Sequence, residues 1–189
     1  MLQVKPSIYP SRHIFFVITI AFFCSFPYAI MATNQSSIDN NKEQSMQLVG
    51  KSKLKFWGFS IYTAELFSPN GKFDAIQPGL KLQLTYHRDI KKNALIKRTL
   101  KEWERLPNYD KQKVQMWADK LDAIWPDIKK NDTLAAYLNK DGITEFFYQS
   151  RPIGAIADKE FGVAFLSIWL AKTTSEPQMR EEIISSQNP

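Results

Sequence analysis

Cysteine is almost missing from this sequence. Of 189 residues a single one, Cys24, is cysteine, and it stands inside an apolar run expected to be removed. The mature chain would then have no disulfide, no thiolate nucleophile and no cysteine metal site. Phe23 before it also breaks the small-residue pattern of a lipid-attachment cysteine. Histidine is nearly as scarce: His13 lies in the same segment expected to be removed, and His87 alone makes neither a metal site nor a supported Ser/His/Asp set. No Asp/Glu cluster has ligand spacing, so no metal is expected. Glycine numbers only seven, and none forms a Gly-rich strand-to-helix turn that could cradle phosphates. The triplet His87-Arg88-Asp89 copies three letters of a kinase catalytic loop, but no Gly-rich loop and no Asp-Phe-Gly accompany it. No catalytic residue is assigned and no cofactor is expected.

What is present begins with an export pattern. Lys5 and Arg12 precede the 13-residue apolar run Ile14–Phe26, which Pro27 breaks before the small residues Ala29 and Ala32. A membrane span needs about 20 apolar residues, so a signal peptide over 1–32 fits better. Cleavage after Ala29 or Ala32 would give a periplasmic or secreted protein with no stable membrane span. The formal net charge of +6 falls to about +4 with Lys5 and Arg12 gone. That is too mild to signal nucleic-acid binding. Residues 33–46 are polar and aperiodic, a flexible leader, and one domain is expected over 47–186.

The domain opens on strands. Over Gln47–Pro69 aromatic and β-branched residues alternate with polar ones around Gly58, predicting two strands. Leu80, Leu82, Leu84 and Tyr86 form one face of a third. The period then changes: Ile96, Leu100, Trp103 and Leu106 recur at three and four, predicting a helix from Asp89 with Asp89 or Asn93 as cap. A second helix is predicted over Asp110–Ile124. "TLAAYL" and "ITEFFY" flank Asp141-Gly142 as a hairpin, with a further short pair around Ser150-Arg151-Pro152. Asp158 should cap a helix through Leu170, apolar almost all round and therefore buried. Ser175 and Gln178 have capping-box spacing for a last short helix. Strands, two helices, strands and two helices make an α+β fold, an antiparallel sheet with helices packed on one face.

Three polar side chains are candidate ligand-binding residues: Tyr62, Tyr86 and Arg88. Tyr62 shares a strand face with Ala64 and Leu66, and Tyr86 continues the apolar face of its own strand. Buried tyrosine hydroxyls want partners. Most such tyrosines are simply satisfied core residues, and Arg88 reads first as structural, pairing with Asp89 or a nearby carboxylate. The lysines and arginines of the first helix, Lys91, Lys92, Lys97, Arg98 and Lys101, read as a solvated face or as an anion-facing rim.

Three stretches carry a resemblance: "LVGKSKLKFWGFSIYTAELFSP", "LQLTYHRDIKKNALIKRTLKEWERL" and "FYQSRPIGAIADKEFGVAFLSIWLAKTTSEPQMREEI". Together they resemble the bacterial branch of the chalcone isomerase-like family, over about residues 47–184. The resemblance implies an open-faced β-sandwich, a large antiparallel sheet wrapped by helices. Plant chalcone isomerases, which cyclise a chalcone to a flavanone, use a strand arginine and, in the next stretch, a threonine. Here "SIYTAELFS" places Tyr62 where that threonine would be, and "GKSKLKF" offers lysines in place of the arginine. A lysine is a poor substitute for a planar guanidinium. The expectation is therefore an exported, non-catalytic protein binding a small apolar or amphipathic ligand such as a fatty acid. An intramolecular lyase or isomerase acting on an enone-like substrate is one alternative. A structural or partner-binding envelope protein is the other.

Overall fold

The computed structural model describes residues 46–106 and 109–185. The expected signal over 1–32, all but the last residue of the leader over 33–46, and position 186 lie outside the described residues. Among the described residues six strands and four helices follow in order: β1 Gln47–Phe56, β2 Phe59–Ser68, β3 Lys81–Tyr86, α1 Lys92–Trp103, α2 Lys111–Ile124, β4 Thr133–Leu138, β5 Thr144–Tyr148, β6 Arg151–Ile156, α3 Lys159–Leu170 and α4 Pro177–Ile184. The strands form one sheet in sequence order, each antiparallel to its neighbours. This is the α+β arrangement expected.

Register converts the period-two pattern into a continuous apolar face. Tyr62, Ala64 and Leu66 lie opposite Tyr86, Leu84 and Leu82. Leu84 and Leu82 in turn face Leu134 and Ala136, and Ala136 faces Phe146. The helices cover this face. At Gly50 on β1, an added Cβ would stand 2.6 Å from the Glu182 carbonyl oxygen and 2.8 Å from that of Ser185, so the end of α4 rests directly on the strand backbone. Apolar burial on this scale is the main favourable term in folding.

The long α3 helix is the centre of the core. Its Phe161, Ala164, Phe165, Leu166 and Leu170 are buried, and only Val163 of its apolar residues turns outward. Phe161 packs edge-on against Trp103, Trp117 and Phe146, at 5.7–6.1 Å between ring centroids, and stacks on Phe165 at 5.6 Å. Two indoles pin the helix: Trp103 Nε1 donates to the Ala164 carbonyl at 3.0 Å, and Trp117 Nε1 donates to the Asp158 carboxylate at 2.9 Å. Asp158 caps the helix, accepting from the amides of Glu160 and Phe161, as Asp110 caps α2 through Lys113.

Two caps differ from expectation. Neither Asp89 nor Asn93 caps α1, whose N-cap is Lys91 with no side-chain bond. An isolated antiparallel bridge between Ile90 and Ile128 lays the two connections side by side. The aspartates consequently serve each other's strands: Asp127 accepts from the Lys92 amide at 2.9 Å, and Asp89 accepts from the Lys130 amide at 2.9 Å. The Ser175–Gln178 capping box does not form either. Helix α4 starts one residue later than that spacing requires, with Glu176 as N-cap and Pro177 in first place, where its missing N–H costs nothing. Thr174 takes over, accepting from the Glu176 amide and donating to the Ile168 carbonyl at 2.7 Å.

Candidate functional site

Between the apolar sheet face and helices α1 and α3 lies a cavity of about 290 Å³. Its deep wall is hydrocarbon: Leu82, Leu84, Leu134, Phe146, Phe165 and Ile168 among others. This lining follows from the sequence locally, since strand alternation supplies one wall and the three- and four-residue spacing of α1 and α3 supplies the other. The exposed Lys55, Phe56, Ala94 and Arg98 mark its opening.

Polar groups are few and gathered. Besides two tyrosines, the ionisable residues of the lining are Lys55, Arg98, Glu102 and Glu176. Arg98 Nη2 stands 2.7 Å from Glu102 Oε1 and 4.0 Å from Glu176 Oε1. The Glu102 side chain is only 5% exposed, while that of Arg98 is 55% exposed. Although close to the guanidinium, Glu102 Oε1 has no aligned hydrogen-bond donor. The pair is held by charge, with a lone-pair direction left for another donor. Trp125 Nε1, also in the lining, is buried without a hydrogen-bond partner among the described residues.

Tyr62 and Tyr86 both line the cavity. They are partners across β2 and β3, with ring centroids 5.9 Å apart and nearly edge-on. The Tyr62 hydroxyl accepts from Trp169 Nε1 at 3.0 Å, and its own proton points at the Met179 sulfur, 4.0 Å away. Burial pushes the Tyr62 hydroxyl up to about 12, a rise that the Trp169 hydrogen bond and Arg98 only partly oppose. Burial, with neighbouring Tyr62, raises Tyr86 as well. Both hydroxyls are neutral at physiological pH. They can donate or accept a hydrogen bond, and they are not poised as bases.

Arg88 stands elsewhere. It is exposed beyond the end of β3 and shares a separate surface depression with Phe59, Ser60, His87 and Lys130. It does not pair with Asp89, whose carboxylate meets Lys129 Nζ at 3.2 Å. The arginine at the cavity is Arg98, one of the residues read above as a solvated face or rim. A signal for it was present in the helix: Leu95, Thr99 and Glu102 recur at four and three beside the Trp103 stripe, which puts a carboxylate on an inward face. Among the described residues, no group of three His, Cys, Asp or Glu could hold a metal ion. No helix among them is long and apolar enough to cross a membrane.

Comparison with known proteins agrees with this geometry. The family model described as chalcone isomerase-like matches residues 31–185. An uncharacterised protein of Haemophilus influenzae is 25% identical over 169 residues, which is 89% of this chain and 75% of that one. Among solved structures, a fatty-acid binding protein of Arabidopsis thaliana superposes with a TM-score of 0.55 at 12% identity, covering 74% of this chain and 87% of that one. That likeness is one of fold. With the six-stranded antiparallel sheet, its four covering helices and a family match over most of its length, this chain belongs to the chalcone isomerase-like family.

Proposed function

We propose that this domain is a non-catalytic binder of a small amphipathic ligand, an acyl chain carrying an acidic head. The observation that carries the reading is the cavity: about 290 Å³ walled by aliphatic and aromatic side chains, with Lys55 and Arg98 at its opening. Binding sites for small molecules commonly combine an apolar wall with a few convergent polar groups. One water needs only about 10–15 Å³ of such space, so the cavity is far larger than a water site and has room for an acyl chain. The fatty-acid binding protein that shares the fold supports the choice of ligand class. Arg98 is the group to meet a carboxylate, and Tyr62, Tyr86 and Trp125 offer neutral hydrogen bonds deeper in. Neutral tyrosines without a paired base favour binding over turnover. Export to the periplasm or medium belongs to the same proposal, supported by the apolar run Ile14–Phe26; amino-terminal sequencing of the protein recovered from cell fractions tests it.

The ligand reading is tested by displacement of a dansylated fatty acid and by native mass spectrometry across a series of chain lengths. Affinity is expected to peak near the length that fills the cavity. Changing Arg98→Met and Glu102→Leu together leaves no buried charge unpaired. This pair is expected to weaken the acid by about tenfold or more relative to the matching alcohol, the worth of one hydrogen bond to a charged group. Ala136→Phe, which fills the cavity from its sheet side, should shift the preferred chain shorter. Absence of binding at any length, or indifference to Ala136→Phe, overturns the proposal.

A further inference from the structure

The β1–β2 hairpin ends in a two-residue turn, Trp57-Gly58, closed by the pair Phe56 and Phe59. Trp57 has φ +51° and Gly58 φ +82°, the positive values of a type I′ turn. Glycine takes such angles freely, and asparagine readily. A bulky aromatic residue does so at a cost. Nothing in the turn recovers that cost through burial: Phe56 is 65% exposed, Trp57 86% and Phe59 71%. Three large aromatic side chains thus stand together in solvent at one tip.

Cations surround them. Lys53 and Lys55 are exposed on β1, and Arg88 and Lys130 are exposed beside Phe59. None of the four is in an ion pair among the described residues. The carboxylate next to Arg88, Asp89, is occupied by Lys129 and by the Lys130 amide. Aromatic rings ringed by free cations match a bilayer interface: indole and phenyl groups seat among headgroups, and each nearby cation gains from anionic phosphates. The tip also adjoins the cavity, whose opening includes Lys55 and Phe56.

We propose that the Phe56–Phe59 tip docks on an anionic lipid bilayer, its rings among the headgroups and Lys53, Lys55, Arg88 and Lys130 against the phosphates. The cavity opening is thereby turned to the membrane surface. Docking does not depend on the acyl-ligand reading; exchange of ligand with the bilayer does.

The test uses the intact protein with vesicles of phosphatidylcholine alone, or with one-third phosphatidylglycerol, read by co-sedimentation and tryptophan emission. Of the five tryptophans, Trp57 is the exposed one, so a blue shift reports on the tip. Anionic vesicles are expected to bind at least about tenfold more tightly than neutral ones, with the difference shrinking in salt. Phe56→Ser, Trp57→Ser and Phe59→Ser together should abolish binding without changing the melting temperature. Lys53→Glu with Lys55→Glu should remove the preference for anionic lipid. Equal binding by the triple variant, or no association with anionic vesicles, overturns the proposal. So does a dimer in sedimentation velocity that the triple variant dissolves, which would give the tip to a second copy. Dansylated fatty-acid binding is measured in parallel without vesicles. If it fails while vesicle binding holds, the cavity reading falls and docking stands.

Discussion

Two segments of this chain carry the same aromatic set, two phenylalanines and a tryptophan, and are opposite in fate. Helix α3 carries Phe161, Phe165 and Trp169, and the β1–β2 tip carries Phe56, Trp57 and Phe59. The first set lies in the core or against it. The second is the most exposed apolar group described. Composition therefore does not decide burial here; position in the pattern does. The α3 rings recur every fourth residue, so they line one side of a helix and meet Trp103, Trp117 and Phe146 at once. The tip rings sit where two strands reverse, and among the described residues they stand mostly in solvent. One cluster is held by many neighbours. The other, among the described residues, has few and costs backbone energy besides.

The comparison can be broken at its strongest point first. Phe161→Ala removes a ring that touches four others, and large-to-small changes at such sites cost about 3–5 kcal/mol. Urea unfolding should show that loss with an unchanged slope. Removing the Trp57 ring by contrast should cost nothing measurable, although tryptophan is the larger residue. A tip ring whose loss proved as damaging as that of Phe161 would mean that the tip is packed in solution.

A middle-sized effect lies at the cap of α3. Burial pushes the Asp158 carboxyl up, but the Trp117 indole, the amides of Glu160 and Phe161, and Lys113 outweigh it, leaving the group below its ordinary value of 3.8. A carboxylate depressed in the folded state stabilises above its unfolded value and loses that contribution as pH falls through the folded one. Asp158→Ala should therefore cost about 1–2 kcal/mol at neutral pH. The difference from wild type should shrink only below about pH 4. Asp158→Asn keeps a capping oxygen and should lose less, with a flatter acid limb. A penalty for Asp158→Ala that persisted undiminished at pH 2 would show that its worth is packing rather than charge.

Long-range order was readable wherever one residue's period decided it. Leu80, Leu82, Leu84 and Tyr86 announced an inward strand face, and Phe161, Phe165 and Trp169 a buried helix, because alternation and helical repeat are properties of the segment alone. Tyr62 and Tyr86 were placed in one apolar interior for the same reason. What the segments could not show was which connections would lie side by side. The Ile90 and Ile128 bridge reassigns two aspartates, so Asp89 left the cap expected of it and Arg88 lost its expected partner. Arg98 was obscured by its own neighbours: on a helix studded with Lys97 and Lys101 a further cation looks solvated. Its meaning comes from Glu102, whose burial depends on how α1 packs against its neighbouring helices.

The smallest expected effect is the sharpest test of the comparison. If Trp57 is present in spite of the fold, replacing it with the residue a type I′ turn favours should improve stability. Trp57→Asn relieves a left-handed backbone angle in a residue that resists it and gives up a side chain 86% exposed. A gain of about 0.5–1 kcal/mol is expected, read as a higher urea midpoint at constant slope. The same variant should bind anionic vesicles less well than wild type, so stability and docking would move in opposite directions at one residue. A loss of stability would reverse the argument. It would mean that the indole finds a partner across the tip in solution, and the exposed cluster would then belong to the fold as the α3 cluster does.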